Sequence, residues 1–148
     1  MISMDTNLLL PAMVPGHADH QGAAGFIGEM SRRDDVAISE FILLELYGLL
    51  RNPVVLERPL GAAAAAAACR RFREHPRWRL VGLPPDGRRF HDELWAMLDM
   101  AGSARRRAYD LRVGLSLVRM GVTEFATVNV RDFEGVGFAR VWNPLREG

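Results

Sequence analysis

Three carboxylates stand where a charge is costly. Asp5 directly follows Ile2-Ser3-Met4, which reads as a short strand, and Leu8-Leu9-Leu10 comes soon after it. Glu45 lies inside Phe41-Ile42-Leu43-Leu44-Glu45-Leu46-Tyr47-Gly48-Leu49-Leu50, and its helical face includes Phe41, Ile42, Gly48 and Leu49, all apolar or small. Asp110 repeats the arrangement: Val113, Gly114, Leu117 and Val118 share its face, while Arg112 and Arg119 mark the charged side of that helix. An isolated carboxylate on an apolar face is neutralised, paired with an arginine or bound to a cation. Asp5 alone also reads as a helix N-cap or a turn acid. Two helices with one inward acid each, plus an acid at a strand end, point instead to convergence. Converging carboxylates repel one another, and desolvation adds to the cost. A hard divalent cation such as Mg²⁺ relieves it, with oxygen ligands and several retained waters. An ion so held acidifies water and stabilises phosphoryl charge, which suits in-line hydrolysis of a phosphodiester.

The elements that would position these acids alternate between short strands and longer helices. Strands are expected at Ile2 to Met4, Val36 to Ile38, Trp78 to Leu83, Phe125 to Val128 and Phe138 to Trp142. Helices are expected at Ala18 to Arg32, from a Ser39 cap to about Leu50, over the seven alanines Ala62 to Ala68, at Arg88 to Met100, and from Arg105 to Met120 ahead of Gly121. Pro11 is expected to break the chain after Leu10, and Asn52-Pro53 to end the third segment. Strands alternating with helices predict an α/β fold with a parallel sheet, whose ligands bind beyond the carboxyl ends of the strands. That rule points to Asp5 and to Asn129. No linker divides residues 1–148, so one domain is expected.

The 148 residues carry 19 basic and 18 acidic side chains, too even a balance for a strongly basic nucleic-acid coat. The lone Cys69 allows no internal disulfide and no zinc spacing, and reads as a buried thiol. No signal peptide and no membrane-length apolar stretch is seen, so the cytoplasm is the expected compartment. No glycine-rich phosphate loop follows a strand, and no G-x-S-x-G occurs.

Met4-Asp5-Thr6-Asn7-Leu8-Leu9, Ser39 through Glu45-Leu46, Tyr109-Asp110 with a helix ending at Gly121, Thr127-Val128-Asn129-Val130-Arg131-Asp132-Phe133-Glu134-Gly135 and Trp142-Asn143-Pro144-Leu145 follow one another in an order that resembles a PIN domain, and most closely a VapC-like toxin of a toxin–antitoxin pair. The resemblance runs from Met1 to Leu145. It implies a three-layer α/β/α fold with a central parallel sheet, and an acidic cluster of Asp5, Glu45 and Asp110, with Asp5 and Asp110 as the ligands of Mg²⁺ or Mn²⁺. It also implies an RNA substrate, a homodimer and an antitoxin partner that blocks the site. Two departures stand out. Asn129 occupies a place where many members carry aspartate, and Leu111 follows the third acid where many carry alanine. Asp132 either supplies the fourth acid or caps the following turn.

Thr6 and Asn7 either hydrogen-bond the cluster or a phosphate, or cap the helix after the first strand; Thr127 is a strand-end hydroxyl near the same place. Arg105-Arg106-Arg107, like Arg70, Arg71 and Arg73, read either as phosphate guidance or as solvated helix charge. His17, His20, His75 and His91 lack ligand spacing and suit surface roles. Trp78, Trp95 and Trp142 read as core. Two rivals to a metal-dependent endoribonuclease remain: a catalytically inactive PIN-like module that binds RNA or protein, and a structural α/β protein whose inward acids pair with arginines.

Overall fold

The computed structural model describes residues 1–100 and 107–146. Its strands are β1 (Ile2–Met4), β2 (Ala37–Ser39), β3 (Arg79–Val81), β4 (Glu124–Ala126) and β5 (Arg140–Trp142). Its helices are α1 (Thr6–Met13), α2 (His20–Met30), α3 (Glu40–Leu50), α4 (Ala62–Arg73), α5 (Gly87–Met100), α6 (Arg107–Arg119) and α7 (Val130–Phe133).

Every strand pairing is parallel. β1, β4 and β5 form one ladder, in the register Ser3 to Phe125 and Phe125 to Val141. β2 and β3 form a second, with Ile38 opposite Leu80. A single parallel bridge, Ile2 to Val36, joins the two ladders into the order β3-β2-β1-β4-β5. β1 is buried along its whole length, as a central parallel strand covered on both faces must be. From β1 the chain moves outward through β2 to β3, then returns across the sheet to β4 and β5. Right-handed crossovers therefore place α1 to α4 on one face and α5 to α7 on the other. The packing agrees, since α1 packs on α2 and α3, α3 on α4, and α6 on both α5 and α7. This is the expected three-layer arrangement. Most of the core is one cluster that includes Met4, Leu9, Ile38, Leu46 and Phe125, while Phe90, Leu94, Leu111, Leu115 and Val136 form a smaller one between α5 and α6. Leu111 thus belongs to a packed layer.

The expected break at Pro11 is corrected: the helix runs through it to Met13. A proline there costs about 3 kcal/mol, but burying Leu8, Leu9 and Leu10 is worth roughly 1.5–3 kcal/mol each. α7 was not expected from the sequence; it is one turn, pinned by the buried Phe133. Trp95 is not core but 68% exposed, because α5 turns Phe90 and Leu94 inward and Trp95 lies about 100° further round. Trp78 and Trp142 are buried, and so is Cys69, whose thiol lies 3.4 Å from the Leu43 carbonyl in the close contact between α3 and the alanine-rich α4. Gly121, at φ 89°, closes α6: its N–H donates to the Val118 carbonyl and that of Val122 to Leu117, a Schellman arrangement. Among the described residues no helix is long and apolar enough to cross a membrane.

Candidate active site

The chain leaves β1 toward one side of the sheet and reaches β4 on the other, so a crevice opens beyond the carboxyl ends of these two neighbours. Asp5 follows β1 and Thr127 follows β4. The Asp5 N–H still donates to the Ala126 carbonyl at 2.9 Å, which fixes the backbone where the ladder ends. Asp5 is the N-cap of α1: its Oδ1 accepts the Thr6 N–H at 2.7 Å. Its Oδ2 accepts the Thr127 hydroxyl at 2.7 Å and the Asn7 amide at 3.2 Å. Asn7 also donates to Thr127 Oγ1 at 3.1 Å and accepts the Val128 N–H at 3.2 Å, while the Asn129 N–H donates to Thr127 Oγ1 at 3.1 Å. These bonds lock the two strand ends together around one carboxylate.

Asp5, Glu45, Asp110 and Asp132 line a single cleft of about 980 Å³, with Thr6, Asn7 and Asn129 in its wall. Thr127 stands behind that wall, fully buried. Burial pushes the Asp5 carboxyl up to about 6, the Thr127 hydrogen bond opposes this, and the charges of Glu45 and then Asp132 raise it further. The acids gather without closing on a point: among the described residues, no three acid, histidine or cysteine side chains are grouped closely enough to hold one ion between them.

Several expectations change here. Glu45 is exposed on the part of α3 that faces the cleft, beside the equally exposed Leu44, rather than on a buried face. The Thr6 hydroxyl does not bond the carboxylate; it is buried without a hydrogen-bond partner among the described residues. Asn129 is the N-cap of α7 by position, with no side-chain capping bond, and Asp132 lies in the helix it starts. Arg107 donates to the Asp132 carbonyl and so ties α6 to α7; Arg105 and Arg106 lie outside the described residues. Arg73 is paired with Glu40 at 2.8 Å, a helix-surface contact. Arg112, assigned above to the outer side of α6, reaches into the cleft and stacks on Phe41 of α3 with its guanidinium carbon 4.4 Å from the ring centre. Its Nε is buried without a hydrogen-bond partner among the described residues. The exposed Tyr109 also lines the cleft. The cue to Arg112 was its place two residues after Asp110, but which way a long arginine stem leans is decided by the neighbouring helix.

No family model matches the chain. Ribonuclease VapC24 of Mycobacterium tuberculosis, in both the CDC 1551 / Oshkosh and H37Rv strains, is 44% identical over 145 residues, covering 98% of this chain and 97% of the relative. The chain belongs to the VapC family of PIN-domain proteins. Solved structures share this fold along nearly the full length. VapC20 of Mycobacterium tuberculosis, described as a sarcin–ricin loop cleaving toxin, matches with a TM-score of 0.61 and 23% identity over 93% of this chain and 96% of its own. FitAB bound to a DNA fragment gives 0.62 and 16% over 100% and 98%. VapBC2 of Rickettsia felis, bound to a promoter DNA fragment, gives 0.64 and 16% over 97% and 98%. In the VapC frame of this chain, all four acids line the cleft beyond the ends of β1 and β4.

Proposed function

We propose that this VapC chain is a Mg²⁺- or Mn²⁺-dependent endoribonuclease, the toxin of a toxin–antitoxin pair. The reading is supported by the near-full-length relative named a ribonuclease. The observation that carries it is Asp5: a carboxylate locked between two strand ends, its charged form disfavoured by burial and by neighbouring acids, opening on the cleft that holds them.

The donor set fits a hard cation. It offers carboxylate and amide oxygens and no thiolate, and Mg²⁺ is commonly held by one or two carboxylates, substrate phosphates and water rather than by an all-protein cage. A loose group of acids matches that habit. Asp5 and Asp110 would hold the ion, and the Asp132 carboxylate or the Asn129 carbonyl would complete its surroundings. When bound, such an ion acidifies water and stabilises charge on the phosphoryl oxygens. Glu45, at the open side of the cleft, orients the attacking water and accepts its proton. Thr6, Asn7 and Thr127 keep Asp5 in place, the first through its backbone N–H. Arg112 presents its guanidinium to a non-bridging phosphate oxygen. An antitoxin that inhibits this chain would fill the same cleft, and the toxin is expected to act as a homodimer in the cytoplasm.

Asp5→Asn tests the reading. The variant should keep its fold by circular dichroism, lose RNA cleavage by at least about a hundredfold, and lose the rise in Tm that Mn²⁺ gives the wild type. Full cleavage by the variant, with chelator controls in place, would reject the assignment. The neutral Asn129 favours a second reading, an inactive module that binds RNA without cutting it. Wild-type protein that binds RNA but shows neither Mn²⁺ binding nor cleavage would establish that instead.

A further inference from the structure

A second groove of about 600 Å³ adjoins the acidic cleft, and the two share Val128, Asn129 and Asp132 as a common ridge. The charge changes sign across that ridge. The first cleft is lined by Asp5, Asp19, Glu45, Asp110 and Asp132 against Arg107 and Arg112. The second is lined by Arg131 and Arg146, and Asp132 on the ridge is the acid among its lining residues. Both arginines are exposed and neither forms an ion pair among the described residues, unlike Arg33, Arg73 and Arg119. Both stand on fixed backbone. Arg131 is in α7, where the Asp132 N–H donates to the Asn129 carbonyl at 3.1 Å. Arg146 closes a turn in which Asn143 Oδ1 accepts the Leu145 N–H at 3.0 Å and the Asn143 carbonyl accepts the Arg146 N–H at 3.2 Å.

We propose that the Arg131/Arg146 groove is a binding site for the phosphates of nucleotides flanking the bond to be cut, so that single-stranded RNA crosses the ridge at Val128 and Asn129 from one groove into the other. This rests on the RNA-cleaving reading above. An RNA strand carries a phosphate at every nucleotide. A strand whose reacting phosphate sits among four carboxylates is repelled by them at its neighbouring phosphates too, beyond the reach of one ion. Uncompensated guanidiniums next door supply that missing counter-charge, and a cationic groove that tracks the backbone is the general device for binding single strands without reading sequence.

The test is the double variant Arg131→Ala/Arg146→Ala beside Arg58→Ala/Arg79→Ala, which removes equal charge from the loop before α4 and from β3, the sheet edge opposite β5. Binding of a labelled 12-nucleotide single-stranded RNA is followed across a salt series in chelator, and cleavage of that RNA and of a trinucleotide is followed with Mn²⁺. The 131/146 variant should bind the 12-mer at least about tenfold more weakly, and its log–log salt slope should shrink by about 1.4, from ~0.7 per phosphate no longer neutralised. Its KM for the 12-mer should rise with kcat retained, its cleavage of the trinucleotide should be unchanged, and the 58/79 variant should match wild type. Unchanged affinity and salt slope, in a wild type that cleaves, would overturn the groove and leave the nuclease standing. RNA binding that depends on 131 and 146 without any cleavage would uphold the groove and remove the nuclease. Loss of binding to the cognate antitoxin alone, with RNA untouched, would assign the groove to protein and overturn the proposal.

Discussion

Asp5 performs two tasks that pull in opposite directions. As an N-cap it accepts the Thr6 N–H and is favoured charged, yet the wall it completes removes water from it, and burial wins. Its proton affinity therefore rises on folding, from an ordinary 3.8 to about 6. The folded protein binds this proton more tightly than the unfolded chain, so the contribution of Asp5 to metal-free stability is fully present below about pH 4 and is lost as pH climbs through about 6. The loss amounts to roughly 2–3 kcal/mol for a two-unit shift. Melting curves in chelator from pH 4 to 7 should show the wild-type-minus-variant difference for Asp5→Asn falling over that window. Parallel curves would refute the burial argument. A charge straight after a short apolar strand is legible in sequence because little else puts one there. The setting of Glu45 was not legible: the neighbours at its helical spacing are apolar, but whether that face meets a core or a cleft depends on what lies across from it. The lean of Arg112 was hidden for the same reason, since its stacking partner Phe41 belongs to a helix some seventy residues earlier.

At the scale of elements, α6 must lie close enough to α7 and the segment after it for Asp110 and Asp132 to share a cleft, and Gly114 allows the approach. A Cβ built there would meet Val136 Cγ1 at 2.9 Å, Phe133 at 3.4 Å and Phe138 at 3.5 Å. Gly114→Ala gains up to about 1 kcal/mol of helix propensity but overpacks the contact by about 1–3 kcal/mol. The net expectation is a loss near 1 kcal/mol, or about 2–4 °C in Tm. Gly25→Ala, in α2 with nothing within 4 Å of the added carbon, should instead raise Tm. Calorimetry on both variants checks the pair; a stabilised Gly114→Ala would mean the two segments pack more loosely than drawn. Period and punctuation located nearly every helix and strand with ends at most two residues adrift, except that α4 runs five residues past its alanines to Arg73. The misses are instructive. Pro11 and α7 are held by burial of their neighbours, which overrides local preference, and the position of Trp95 turned on a hundred degrees of helix phase.

For the whole molecule, strands alternating with helices predict the α/β class from sequence, and the rule for crevices in such sheets points to Asp5 and Asn129. The order of the strands was not legible. Three-residue strands carry too little pattern to say which neighbours which, and that order is what sets Asp5 beside Thr127. It also decides how the sheet is stitched. Among the described residues the two ladders share one backbone bridge, Ile2 to Val36, with the Ile2 N–H donating to the Asp35 carbonyl at 2.8 Å. Asp5 and Thr127 hang from one side of that seam, while Glu45, through Ser39 and α3, hangs from the other. Side chains of one core cluster, Met4, Val36, Ile38, Ile42 and Phe125 among them, carry the rest of the join. Native-state amide exchange should find the Ile2 N–H, at that seam, less protected than the Asp5 N–H a few residues on, whose bond to the Ala126 carbonyl lies inside the ladder that holds the carboxylate.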